Sequence, residues 1–303
     1  MADGSRSSAI EIEAEVAGAE AAREAKADVL EREGMAQPVV KASKREKSAS
    51  GKAEWHEFTV DVWITNLNSV EFGIFKHSRN RAKSRQFTLD MDVFAEVIEN
   101  GQRTGLIAYR EELWKKKEGM DRRLVLRLFG EKLNWRATMD LMLARSLQLT
   151  IGARGVPVAA YSINLGEQIH NVYLERSANK WPLMPENYSF FVLDEHNPVF
   201  YRLRRDLIDI GGDFTLYDAA NNKIGRLDGK VFSLGGKWRC RVLKEHADPR
   251  LLHVLKLFAA KEVFARDIGH HMKQLWKDVR AGRVVPSIDR QEADLYMNPR
   301  RMR

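Results

Sequence analysis

The sequence predicts an α+β protein built on an antiparallel β-meander or barrel, with a long C-terminal amphipathic helix and helical insertions. Three observations predict this class. The segment that starts at Phe190 repeats itself after 24 residues, short apolar runs alternate with turn-forming residues, and a helical stripe of apolar residues extends from Leu251 to Val279. With 303 residues, the chain is long enough for one large domain or two ordinary ones.

The repeat is the most informative of the three observations. Phe190 aligns with Phe214, and the alignment continues without a gap until Gly211-Gly212 falls on Gly235-Gly236. Within one copy, Asp218–Asn222 provides residues that favour a turn, and the glycine pair allows a tight reversal. The apolar residues between these turns form runs of strand length. Residues 188–247 are therefore predicted to form repeated β-hairpins.

The chain before the repeat gives weaker signals. Residues 1–53 combine an acidic, alanine- and glutamate-rich helical arm with a basic linker. Residues 54–187 are a mixed α+β region and a candidate for the first half of the barrel. The predicted strands here are Trp55–Ile64, its partner Val70–Phe75, Arg122–Phe129 and Val156–Ile163; the predicted helices are Phe87–Ile98, Leu106–Lys117 and Thr138–Leu149.

After the repeat, residues 248–282 are predicted to be helical, and residues 283–303 form a basic tail. Asp248 is placed to cap the helix, and Pro249 suits its first turn. The apolar stripe consists of Leu251, Leu255, Phe258, Ile268, Met272, Leu275 and Val279, whereas Lys261, Arg266, Lys273 and Lys277 fall on the other faces. This pattern predicts an amphipathic helix that lies on a surface, with its first turns, Leu251–Phe258, buried.

Three stretches of the hairpin region resemble the LURP-one-related domain, which belongs with the Tubby C-terminal and phospholipid scramblase group. They are Tyr201–Arg205, Gly211–Asp218 and Gly229–Lys237, and the resemblance extends over residues 188–242. It implies a β-barrel of about a dozen strands around an apolar helix. Roles within the group include phosphoinositide binding and membrane association. The resemblance implies no catalytic residue.

Composition limits the classes of function. The single cysteine, Cys240, excludes an internal disulfide framework and fits a reducing compartment. No apolar run is long enough to span a membrane, and the N-terminus has no signal-peptide pattern, so a cytoplasmic protein, peripheral at a membrane, is expected. Residues 1–34 hold nine acidic and four basic side chains, which leaves +13 for the remainder of a chain with net charge +8. A basic body favours anionic partners.

Two groups of basic residues are candidate anion sites. The preferred one is predicted on adjacent strands of the hairpin region and comprises Arg202, Arg204, Arg205, Arg226, Lys230 and Lys237. The alternative role of these residues is cross-strand pairing with Asp206, Asp209, Asp213 and Asp228. The secondary candidate is a basic loop with Lys76, Arg79, Arg81, Lys83 and Arg85, which could clamp phosphates or only be solvated.

No catalytic motif is present. The chain has no glycine-rich phosphate loop, nucleophile elbow, paired-histidine zinc helix or cysteine pair. Asp267, His270 and His271 lie within one helical turn and are weak candidate metal ligands, so no cofactor is predicted. Cys240 is expected to be buried on a strand, although Arg239 and Arg241 beside it could activate a thiolate.

The leading hypothesis is a non-enzymatic binding protein of the Tubby-like class that binds anionic phospholipid head groups or membrane surfaces. The alternative is a structural accessory subunit of a ribonucleoprotein or cytoskeletal assembly, with protein contacts through the N-terminal arm and the C-terminal helix. Nucleic acid is a further anionic partner, but the scattered tryptophans form no stacking series for single strands. An enzyme that uses residues 54–187 also remains open.

Overall fold

Within the part of the chain that a computed structural model describes, residues 54–62, 91–166, 170–177, 186–194, 197–206, 212–230 and 236–297, twelve strands form a closed barrel. Each strand pairs antiparallel with the next along the chain, and β12 pairs with β1 to close the ring. The strands are β1 (Trp55–Val62), β2 (Met91–Glu99), β3 (Gln102–Arg110), β4 (Val125–Gly130), β5 (Trp135–Leu141), β6 (Ala160–Leu165), β7 (Val172–Arg176), β8 (Asn187–Asp194), β9 (Asn197–Arg205), β10 (Phe214–Asp218), β11 (Lys223–Lys230) and β12 (Lys237–Leu243).

The helices lie at one end of the barrel and inside it. They are α1 (Leu143–Gly152), α2 (Pro249–Lys261), α3 (Ala265–Arg280) and α4 (Arg290–Met297); a π-helical turn spans Glu112–Lys116, and 3₁₀ turns span Gly119–Asp121, Lys244–His246 and Glu262–Phe264. The predicted partner strand Val70–Phe75, the basic loop, the N-terminal arm and residues 298–303 lie outside the described residues.

Helix α2 runs through the barrel and forms its core. Asp248 caps it by accepting a hydrogen bond from the Arg250 backbone N–H at 2.7 Å, and Pro249 occupies its first turn, as predicted. Phe258 contacts the rings of Tyr188 and Phe214 on one wall, each at a centroid distance of 5.0 Å. Lys256 reaches the opposite wall, where its Nζ lies 2.6 Å from a Glu99 carboxylate oxygen.

The predicted burial of the first turns, Leu251–Phe258, is confirmed, but the prediction that the helix lies on a surface is wrong for α2. Burial continues past Phe258 through Lys261, because the barrel surrounds α2 on all sides. The 3₁₀ turn Glu262–Phe264 then ends the straight helix. Helix α3 is amphipathic as predicted: Ile268 and Leu275 are buried where α3 packs over α1 at the end of the barrel.

Two predicted helices contain strands in the structure, although the second of them ends in the π-helical turn Glu112–Lys116. Phe87–Ile98 contains all of β2 except its last residue, and Leu106–Lys117 contains the second half of β3. Both strands are apolar on both sides, because a second cluster of buried side chains lies on the outer face of β2–β4, outside the α2 core. Its buried members are Met91, Val93, Leu106, Ala108, Phe129 and Leu133. Burial on two faces removes the period-two alternation, so the apolar pattern resembled that of a helix.

The remaining predictions for residues 54–187 place elements near their observed positions. Strand β1 matches Trp55–Ile64 up to Val62, and β4 and β6 lie within or beside the strands predicted at 122–129 and 156–163. The predicted helix Thr138–Leu149 divides into the end of β5 and α1. This region thus supplies seven strands of the barrel and the inserted helix α1.

Candidate functional site

The outer face of β9–β12 concentrates positive charge. These four strands hold nine lysine and arginine residues and two aspartates. Strands β2–β5, on the far side of the ring, hold four basic and four acidic residues. We call the outer surface of β9–β12 the basic face.

Strand alternation explains how the basic face arises. On β9, Tyr201 and Leu203 are buried in the barrel, so Arg202 and Arg204 project outward. On β12, Cys240 and Val242 point inward, and Arg239 and Arg241 project outward in the same way. The period of two therefore sorts apolar residues to the core and basic residues to the surface.

The register places basic side chains from several strands in one row across the face. Arg204 lies opposite Thr215, Thr215 lies opposite Arg226, and Arg226 lies opposite Arg241. Because neighbouring strands are about 4.8 Å apart, this row brings three arginines within roughly 15 Å. At the end of the β11–β12 hairpin, Lys230 pairs in register with Lys237.

Some of these cations have acidic partners, as the pairing alternative predicted. Arg226 donates a hydrogen bond to Asp213 at 2.8 Å and also contacts Asp228. Asp228 also lies 3.4 Å from Arg241, and Lys237 lies 3.0 Å from Asp61 on β1. These pairs hold the row in place and neutralise part of its charge.

Other cations of the face have no acidic partner within the described chain. Arg204 and Arg239 are exposed, and neither forms a hydrogen bond or ion pair there. Arg202 donates to the side-chain oxygen of Asn221, and its guanidinium lies 5.2 Å from the Tyr217 ring centroid. Both of these partners are neutral, so three guanidinium groups remain available for an external anion.

Arg205 was predicted in the same site, but the structure places it at the rim. Its guanidinium lies 3.7 Å from Glu186, which also pairs with Arg176 at 2.7 Å. Gly212 leaves room for it, because a Cβ there would lie 2.9 Å from the Arg205 guanidinium. Asp206 accepts a hydrogen bond from Thr215, while Asp209 lies outside the described residues.

Prediction from the sequence missed Arg239 and Arg241 as members of the basic face. Their signal was the alternation of Lys237, Arg239 and Arg241 with inward apolar residues along one strand. Arg241 joins the row because it lies opposite Arg226 on the neighbouring strand. The sequence of one strand does not reveal which residue of the next strand lies opposite. The side chain of Lys230 and the whole of the basic loop lie outside the described part of the protein.

The weak metal candidates do not come together. Asp267 and His270 are exposed on α3, whereas His271 is buried with its ring edge-on to Trp114 at 6.1 Å. Burial and the neighbouring Arg122 lower the pKa of His271 to about 4. Among the described residues, no group of three or more histidine, cysteine or acidic side chains is arranged to hold a metal ion. The metal hypothesis for these three residues is therefore not supported.

Cys240 has the structural role that was expected. Its side chain is completely buried inside the barrel, and this burial raises the pKa of the thiol. Arg239 and Arg241 project to the opposite side of the strand and do not activate it. A buried neutral thiol is a poor nucleophile.

A cavity of about 350 Å³ lies between α1 and residues 286–288, away from the basic face. No charged residue lines it, and its walls are mainly apolar: Met120, Ala144, Leu147, Ile151, Pro286 and Ile288, with Gln148 and Ser287. A phosphate group would find no cation there. The outer surface of β9–β12 is thus the better candidate for an anionic ligand.

Within the described residues, no helix is long and apolar enough to cross a bilayer. Comparison with family models, with curated proteins and with solved structures finds no match.

Proposed function

We propose that this protein is a non-enzymatic binding protein that docks on anionic membrane surfaces through the basic face. The observation that supports this most strongly is the concentration of nine basic and two acidic residues on four adjacent strands, with Arg204 and Arg239 exposed and unpaired within the described chain. Arginine forks suit phosphate oxygens, and they are present here on a rigid sheet.

The barrel also supports kinship with the LURP-one-related and Tubby-like group. A closed barrel of twelve strands around a buried helix is the architecture that the hairpin resemblance implies. Phosphoinositide lipids are therefore the ligands that we propose to test first. This kinship would support the fold more strongly than the function, because one fold supports many functions.

The electrostatics are sufficient for peripheral binding. Each lysine or arginine near an anionic leaflet contributes about 1 kcal/mol. Three guanidinium groups without acidic partners within the described chain would thus contribute roughly 3 kcal/mol. This amounts to about a hundredfold preference for anionic over neutral vesicles.

Vesicle flotation with a matched charge control tests the proposal. We expect the protein to float with vesicles that contain phosphatidylserine or phosphoinositide, and not with pure phosphatidylcholine. The double variant R204E/R239E should bind more than about tenfold more weakly. K132E/R266E has the same net charge but is altered at exposed positions outside the basic face, so it should bind like the wild type.

Equal loss of binding in both double variants would show that only net charge matters. Failure to bind any anionic vesicle would exclude the proposal. Raising the salt from about 0.1 M to about 0.5 M should weaken binding strongly, since exposed charges are screened over about 10 Å or less.

Light scattering after size exclusion of native extract tests the alternative: a large lipid-independent complex would favour an assembly subunit.

A further inference from the structure

An aromatic pair on the outside of the barrel adjoins the basic face. Phe200 on β9 is 52% exposed, although a large apolar side chain is normally buried. Its ring lies 5.5 Å from that of Phe191, which is directly opposite on β8. Neither ring belongs to either cluster of the core.

The fold does not require an apolar group at this position. Tyr201 and Leu203 already fill the inward positions of β9. The strand lies within a closed ring, so Phe200 protects no open edge against pairing with another chain. The cross-strand contact with Phe191 supports the hairpin but leaves about half of the Phe200 side chain exposed, and this exposed part is free to make a contact outside the protein.

The position of the pair relative to the cations suggests what that contact is. Phe200, Arg202 and Arg204 occupy alternate positions of β9 and therefore follow one another along its outer face at about 6.7 Å intervals. Ser189, the residue of β8 opposite Arg202, is small, and Arg202 is half-buried, with its Nε buried. An aromatic group next to a line of arginines is suited to the boundary between acyl chains and phosphates.

The nearby acidic group, Asp194, is ion-paired rather than free. Asp194 ends β8, close to the aromatic pair in the same hairpin, and it is ion-paired with Arg250 at 2.9 Å. Arg250 also donates a hydrogen bond to the Leu193 carbonyl oxygen at 2.5 Å and is held by Asp248. One guanidinium group therefore serves two carboxylates, and these three described side chains together carry a net charge of −1.

We propose that Phe200, supported by Phe191, inserts into the interfacial layer of an anionic bilayer while Arg202 and Arg204 meet lipid phosphates. This inference rests on the proposed membrane binding and adds an orientation to it. The side of the barrel from β8 to β12 faces the bilayer, with the β8–β9 hairpin inserted into it, and the wall formed by β2–β5 faces away from it.

Site-specific labelling can test the orientation, because the native chain offers one cysteine, and it is buried. A polarity-sensitive dye attached through F200C should shift its emission to the blue on vesicles containing phosphatidylserine. The same dye attached through K132C, at an exposed position of the β4–β5 hairpin on the far wall, should keep its emission. Flotation of the same samples reports binding independently of the dye.

The possible outcomes separate the two proposals. Flotation without a shift at position 200, or with an equal shift at position 132, would overturn the orientation and leave membrane binding intact. Absence of flotation would overturn both. A shift at position 200 in a lipid-free protein complex, with none on vesicles, would overturn membrane insertion in favour of a protein contact.

A pair of substitutions gives a second measurement. F200S should lower vesicle partitioning roughly tenfold, because part of an exposed phenylalanine is withdrawn from water on insertion. I151S removes an apolar side chain of similar exposure, 47%, from α1 and should leave partitioning unchanged. Equal effects of the two substitutions would contradict the inference. Both substitutions alter exposed side chains, so the fold should persist, and thermal unfolding checks this.

Discussion

At the scale of single residues, the most constrained charge is that of Lys261 at the exit of α2. The side chain has no exposed surface. Its Nζ donates a hydrogen bond to the Tyr188 hydroxyl at 3.0 Å, pairs with Glu262 and lies 4.2 Å from the Tyr188 ring centroid. A buried ammonium group is tolerated only with such partners.

Replacing Lys261 tests how strongly stability depends on this buried ion pair. K261M leaves the nearly buried Glu262 carboxylate without its cation, and we expect a loss of about 3 kcal/mol in the free energy of unfolding. The double variant K261M/E262Q should lose less than K261M alone, since no unpaired charge remains. Urea denaturation measures both values; equal losses would mean that the pair is not coupled. K273M, at an exposed position of α3, serves as the control.

His271 makes stability depend on pH. Its pKa is about 4 in the folded protein, because burial and Arg122 disfavour the imidazolium, and about 6.5 when unfolded. Between these values the unfolded chain binds more protons, so acidification from pH 6.5 to pH 4 destabilises the protein by up to about 1.4 kcal/mol per pH unit. His253, also buried and with a pKa lowered to about 4, adds a similar effect.

The comparison of H271Q with H270Q isolates this effect. The loss of stability between pH 7 and pH 5 should shrink in H271Q, whereas H270Q, altered at an exposed neighbour, should keep the wild-type loss. Urea unfolding at the two pH values gives the measurement. An unchanged pH dependence in H271Q would show that His271 is protonated equally in both states.

At the scale of elements, two glycines differ in whether the structure leaves room for a side chain. Gly225 lies within β11, where a Cβ would meet the Arg241 carbonyl oxygen at 2.8 Å and Leu216 at 3.3 Å. Gly269 lies within α3, where a Cβ would meet nothing within 4 Å. The first glycine permits close strand packing, and the second only weakens a helix.

Alanine substitutions should therefore change stability in opposite directions. G225A should destabilise the barrel by at least about 1 kcal/mol, because backbone atoms must move. G269A should stabilise the protein by about 0.5–1 kcal/mol through helix propensity. Thermal and urea unfolding report both. A neutral G225A would mean that the strand yields easily at this position.

Elements also show where sequence patterns fail. In β9 and β12, one face is buried and the other is exposed; the prediction included the outward Arg202 and Arg204 of β9, together with Arg205 at the rim, but missed the arginines of β12. In β2 and β3, Met91 and Leu106 are buried on the outer face as well, and the alternation disappears. Burial on a second face is a tertiary property that a single strand does not encode.

At the scale of the whole molecule, the barrel and α2 depend on each other. Phe258 touches Tyr188 and Phe214 and has no exposed surface, so F258A should leave a cavity that costs about 3–5 kcal/mol. F200A removes the same ring from the outer surface and should cost far less. Urea denaturation distinguishes the two. A small loss for F258A would mean that the barrel can contract around α2.

The sequence by itself determined where strands and turns alternate in the hairpins, the Asp248 cap and the excess of basic residues, because these depend on local backbone preferences and composition. Only the tertiary structure decided that twelve strands close into a ring, that α2 lies inside it, and that Arg204, Arg226 and Arg241 share one row. Closure and register join residues far apart in the chain, and the free energy that selects them comes from burial that no local segment can achieve alone.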